Sequence, residues 1–158
     1  MDYIYDGTFE GLLTCVHHHY YTEKADGIFI GEAYQPSMLN GYMEVETDEV
    51  KATTVYEAVE KKISTFDLRR IYRAFLSSDP DKEMKILRYL VLGFRKGSVV
   101  SMLHGYPAVY DIEAIEKKIS REKDRFCICH KNDEQQALSH HGQALSVHIA
   151  RRLPSQKT

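Results

Sequence analysis

The chain has 158 residues, 43% hydrophobic and 28% charged, the balance of an ordinary globular domain rather than of a disordered chain. A net charge of −2 excludes a bulk polycation, so any nucleic-acid contact has to come from a local cluster of Lys and Arg. The longest apolar run, around Ile86 to Phe94, is broken by Arg88 and Gly93 and falls far short of the roughly 20 residues of a membrane span. The N-terminus, Met-Asp-Tyr-Ile-Tyr-Asp, lacks the basic and apolar regions of a secretory signal. A cytoplasmic protein without a membrane partner is therefore expected. Cys15, Cys127 and Cys129 form an odd, widely spaced set, which points to reduced thiols.

Residues 2–5 read as a short strand closed by Asp6-Gly7, after which Phe9, Leu12, Leu13, Val16 and Tyr20 recur at helical spacing. Gly31, Pro36, Ser37 and Asn40 mark 27–40 as a linker or partly extended loop despite Ile28, Phe29 and Ile30. Tyr42–Glu46 alternates like a strand, and Thr47 can cap a helix with Asp48 and Glu49 in its first turn and Val55, Val59 and Ile63 as its inner stripe. Ser64 or Thr65 opens the next helix, with Leu68, Ile71, Tyr72 and Phe75 on one face and Arg69, Arg70 and Arg73 on the other.

Ser78-Asp79-Pro80 predicts a further helix start and Gly97 its stop, with Met84, Leu87, Val91 and Phe94 buried. A loop through His104-Gly105-Tyr106-Pro107 leads to a helix carrying Val109, Ile112, Ile115 and Ile119 inward and ending near Asp124. Beyond it, 126–130 reads as a strand, 131–134 as a turn, 135–140 as a weaker partner strand and 143–152 as a short helix. The expected class is α+β, mostly helical, with short N-terminal and C-terminal strands. Residues 1–125 form the main domain and 126–158 a strand-helix segment of it.

No Gly-rich phosphate loop, nucleophile elbow or His-Glu-x-x-His motif is present, so the sequence names no catalytic residue and no cofactor. His17-His18-His19 cannot converge on one ion, because consecutive helical residues point about 100° apart. Cys127-Ile128-Cys129-His130 puts both sulfurs on one face of a strand, but the spacing is not that of structural zinc. A metalloenzyme using Cys127, Cys129 and His148 is the least favoured reading.

Charge is more informative. Residues 67–96 hold eight Lys/Arg against four acids, whereas 40–62 hold six acids against three bases. Arg69 and Arg73 lie at i, i+4 and Arg88 and Arg95 at i, i+7, so each pair can meet neighbouring phosphates. With Arg70 and Lys96 these residues make a candidate nucleic-acid surface. The alternative is that the basic and acidic segments pair with each other or stay solvated.

Several segments carry a resemblance: Tyr5-Asp6-Gly7-Thr8-Phe9-Glu10-Gly11-Leu12-Leu13, Tyr34-Gln35-Pro36-Ser37, Glu44-Val45-Glu46-Thr47-Asp48, Leu68 to Ser77 and Leu87 to Phe94. In these the chain resembles a bacterial family of DNA-metabolism proteins whose biochemical activity is unassigned. The resemblance implies partnership with a radical-SAM protein and, in some members, fusion to a uracil-DNA glycosylase domain. It implies no catalytic residue. It also implies a longer later part: here Asp124-Arg125-Phe126 runs directly into Cys127-Ile128-Cys129, and His148 and Arg151-Arg152 match what would be the family's Leu-Ala-x-His-Phe-x-x-Arg helix. The expected function is an accessory, non-catalytic role in DNA repair or DNA modification beside a radical-SAM partner, in contact with DNA. The alternative is a protein-interaction scaffold that never touches nucleic acid.

Overall fold

The computed structural model describes residues 1–31, 34, 35 and 41–121. The chain divides into two compact units, Met1–Lys117 and Lys118–Thr158, and the fold described is that of the first. It is α+β and mostly helical, with a small parallel sheet at its N-terminal end. The expected C-terminal strands, the 125/126 boundary and the Cys127, Cys129 and His148 readings lie outside the described residues.

Strand β1 (Asp2–Tyr5) leads into helix α1 (Phe9–Tyr21) and then into β2 (Gly27–Ile30), which pairs parallel to β1 with Tyr3 opposite Ile28. Strand β3 (Tyr42–Glu44) adds to the other edge of β1, also parallel, with Tyr3 opposite Met43. The order is thus β2-β1-β3. The segment 27–40, expected as a linker or partly extended loop, begins as a paired strand. Ile28-Phe29-Ile30 becomes a strand because β1 offers an open edge, a long-range pairing that no local pattern records.

Among the described residues four helices follow the sheet: α2 (Glu49–Lys62), α3 (Thr65–Phe75), α4 (Lys82–Lys96) and α5 (107–121), with a 3-10 turn at Gly97–Met102 before α5. The cap of α2 is Asp48 rather than Thr47. The Asp48 carboxylate accepts from the Val50 and Lys51 amides at 3.0 and 3.1 Å, and a carboxylate at the positive end of a helix is a stronger cap than a hydroxyl. Thr47 instead donates to Asp6 Oδ2 at 2.8 Å. Ser64 caps α3, accepting from the Asp67 amide at 3.0 Å.

Helix α4 begins two residues later than Pro80 implies. The Asp79 carboxylate holds the Asp81 amide (3.1 Å) and Lys85 Nζ (2.7 Å), turning the chain before the helix starts. It ends as expected at Gly97, whose φ of 71° suits a residue without Cβ.

Tyr3, Leu12, Leu13, Val16, Val59, Ile71, Ile86, Leu90, Val100, Ile112 and Ile115 are fully buried, and together they form the core. The inner face of α4 is rotated from the expected stripe. Ile86, Leu87, Tyr89, Leu90 and Glu83 are buried, whereas Met84, Val91 and Phe94 are only partly covered. Glu83 joins that face because the buried Tyr5 hydroxyl donates to it at 3.0 Å, so a buried carboxylate is satisfied across the sheet-helix junction. Burial, and then the Glu83 charge, push the Tyr5 phenol well above its ordinary pKa. No helix among the described residues is long and apolar enough to cross a membrane.

Candidate nucleic-acid interface

Phe66, Arg69 and Arg73 stand at i, i+3 and i+7 on α3 and so share its outer side, with Tyr72 beside them. Phe9, in the first turn of α1, meets the Tyr72 ring edge-on (centroids 5.1 Å, planes at 82°) and packs on Phe75 at 5.3 Å. Tyr56 and Glu60 of α2 and Glu10 of α1 complete an open groove of about 960 Å³ between the three helices. Its aromatic lining is wet: Phe66 is 59% exposed, Tyr72 46% and Tyr56 44%. Large aromatic side chains left this open and close together stand here beside exposed arginines.

Of the predicted basic residues, Arg69 and Arg73 do meet at this groove. Arg69 is exposed and engages no ion pair among the described residues, whereas Arg73 is 58% exposed and lies 3.5 Å from Glu116 Oε1.

Arg70 does not belong to the exposed face. It is 5% exposed and sits inside a polar cluster. Its Nε donates to Glu116 Oε2 at 2.8 Å, its Nη1 to the Tyr89 hydroxyl at 3.3 Å, and its Nη2 lies 3.6 Å from Glu113 Oε1. Tyr89 in turn donates to Asp67 Oδ1 at 2.5 Å. Burial alone would lower the guanidinium pKa, but the Tyr89 and Glu116 contacts outweigh it and hold Arg70 above its ordinary value. Burial, then the Asp67 hydrogen bond, drive the Tyr89 phenol upward. Arg70 is therefore a structural cation, because α3 packs on this side against α4 and α5.

Arg88, Arg95 and Lys96 of α4 do not line this groove. Arg88 and Arg95 are exposed, Arg95 acts electrostatically on Tyr20, and Lys96 lies 5.9 Å from the Tyr106 ring centroid. Tyr20 touches Phe94 near the C-terminal end of α1, whereas Phe9 and Tyr72 meet at its N-terminal end. Those ends are about 16 Å apart along the helix at 1.5 Å per residue. The basic stretch 67–96 is thus split rather than continuous.

A second concavity lies at the carboxyl ends of β1 and β3, where the strand order reverses and where ligands of open α/β sheets commonly sit. Here the polar side chains at that place are bonded to one another. Asp6 Oδ1 accepts from the Thr8 amide (2.9 Å) and hydroxyl (2.7 Å), and Oδ2 accepts from Thr47. Burial raises the Asp6 pKa, but these donors outweigh it and leave the carboxyl below its ordinary value. Gly11 makes the cluster possible, since a Cβ there would lie 2.4 Å from Asp6 Oδ1. The rim carries Glu44 and Glu46, which repel phosphate.

The three consecutive histidines serve different partners. His17 stacks on Tyr21 at 4.4 Å, His18 Nδ1 lies 3.1 Å from Thr22 Oγ1, and His19 Nδ1 accepts the Ala25 amide at 3.0 Å. Among the described residues no group of three or more His, Cys, Asp or Glu could hold a metal ion. Cys15 is buried, which pushes its thiol up to about 12 and makes it a poor nucleophile.

No family model, curated protein or solved structure matches this chain. The site therefore stands on its own geometry. Sequence reasoning misses its aromatic half: helical spacing puts Tyr72 on the inner face and gives Phe66 and Tyr56 no role. The signal was present in the i, i+3, i+7 spacing of Phe66, Arg69 and Arg73.

Proposed function

We propose that this chain is an accessory module of DNA repair or DNA modification that contacts DNA through the groove of α1, α2 and α3 and works beside a radical-SAM partner. The observation that carries the DNA contact is the pair Arg69 and Arg73, one helical turn apart and open to solvent at the edge of that groove. Arginines so spaced can each meet a phosphate, the contact that dominates nucleic-acid affinity. The partner rests on the family resemblance, and two of the segments that carry it, Tyr5 to Leu13 and Leu68 to Ser77, supply groove residues. The chemistry belongs to the partner.

Anisotropy titration of a labelled oligonucleotide at two salt concentrations tests the DNA contact. Binding should weaken with salt, and Arg69→Ala/Arg73→Ala should lower affinity and reduce the salt slope by about one per lost phosphate contact. Binding that ignores salt and is unchanged in the double variant overturns it. Co-purification with a co-expressed radical-SAM protein tests the partnership. Co-purification without DNA affinity would favour the scaffold.

A further inference from the structure

We infer that the groove takes single-stranded DNA, with unpaired bases stacked on Phe66 and Tyr72 and the backbone following Arg69 and Arg73. The inference rests on the reading that this groove contacts DNA, and names the form of DNA. In a duplex the base faces are covered by their neighbours, so exposed aromatic rings have nothing to stack on. In a single strand every base offers a face, and stacking on aromatic side chains is the sequence-tolerant half of single-strand binding, beside a basic track for the phosphates.

The groove has both parts in the required order. Phe66, Arg69, Tyr72 and Arg73 alternate aromatic and cationic side chains along one side of α3. Phe66 and Tyr72 are six residues apart, about 9 Å along the axis, so they are separate platforms for different bases. Tyr72 is held by its edge-on contact with Phe9 while 46% of it stays open, so its position is set before any base arrives and less freedom is lost on binding. Glu10 and Glu60 lie on the α1 and α2 side. Their charge keeps phosphates on the α3 side, and carboxylates can accept from base amino groups.

The deciding experiment compares three labelled probes of equal length on the unaltered full chain: oligo-dT, an abasic strand with the same phosphates, and a duplex. Stacking predicts that oligo-dT binds more tightly than the duplex, and at least about fivefold more tightly than the abasic strand. Phe66→Ala/Tyr72→Ala should bring oligo-dT to the abasic level without changing the salt slope, with far-UV circular dichroism confirming the fold. Equal affinity for oligo-dT and abasic strand overturns the inference and leaves the DNA contact standing, as does preference for the duplex. Absence of salt-dependent binding to any probe overturns both.

Discussion

One side of α3 is closed by Asp67, Arg70 and Ala74 against α4 and α5, whereas the other opens to water with Phe66, Arg69, Tyr72 and Arg73. Arg69 and Arg70 are adjacent, carry the same charge and have opposite surroundings. On the closed side a guanidinium is matched by two carboxylates and a phenol, which offsets the cost of removing it from water. On the open side Arg69 has no such partners among the described residues and keeps its donors available, whereas Arg73 keeps only an exposed contact with Glu116. Charge count alone therefore misdirects: a basic segment can contain its own structural cation, and only the remainder is free to meet a ligand.

Replacing the two neighbours separately is the strongest way to break the comparison. Arg70→Ala removes the buried cation that Tyr89, Glu113 and Glu116 surround, and should destabilise the fold by about 3–5 kcal/mol. Arg69→Ala should stay within about 0.5 kcal/mol. Urea unfolding of both variants checks this, and equal losses would show that the two sides do not differ. Tyr89→Phe comes next. It removes the hydroxyl that links Arg70 to Asp67, and should cost about 1–3 kcal/mol by the same measurement, with oligonucleotide affinity unchanged.

Acidity sharpens the contrast further. Glu113 is held below its ordinary value of 4.5 first by the 2.6 Å hydrogen bond with His104, with burial opposing, and then by the charges of His104 and Arg70. A carboxyl whose folded pKa lies below its unfolded one stabilises fully above that unfolded value. Its contribution should thus be in place just above 4.5 and be lost as pH falls below 4.5 through the folded pKa. Glu113→Gln should remove that part of the pH dependence in urea midpoints recorded across the range. A similarly small effect belongs to Arg73→Ala, whose exposed pairing with Glu116 is worth about 0–1 kcal/mol. Its stability should barely move, so any loss of oligonucleotide binding can be assigned to the groove.

Signals that act within a few residues were legible from the chain: the strand at Asp2–Tyr5, the helical spacing of Leu12, Leu13 and Val16, the Ser64 cap and the Gly97 stop. Each depends on dihedral preference or on a side chain reaching its own backbone, so the nearest residues suffice. Half of the groove was legible as well, because Arg69 and Arg73 needed only helical periodicity to share a side. The rest depended on neighbours far along the chain. Gly27–Ile30 is a strand because β1 lies beside it, and Thr47 turns to Asp6 rather than to its own helix.

The basic face that the sequence predicts over 67–96 is too broad in two respects. Arg70 is inside, since α4 and α5 bring Tyr89, Glu113 and Glu116 around it, and Arg95 lies toward the other end of α1, where Tyr20 meets Phe94. Apolar periodicity assigned Tyr72 inward, yet the burial of Arg70 and Asp67 turns α3 so that Tyr72 faces out. A polar residue goes inside when distant partners can satisfy it, and its own segment carries no trace of them. Local pattern thus set which stretches become helices and strands, while packing between helices chose which side of each is buried and which remains open as the groove.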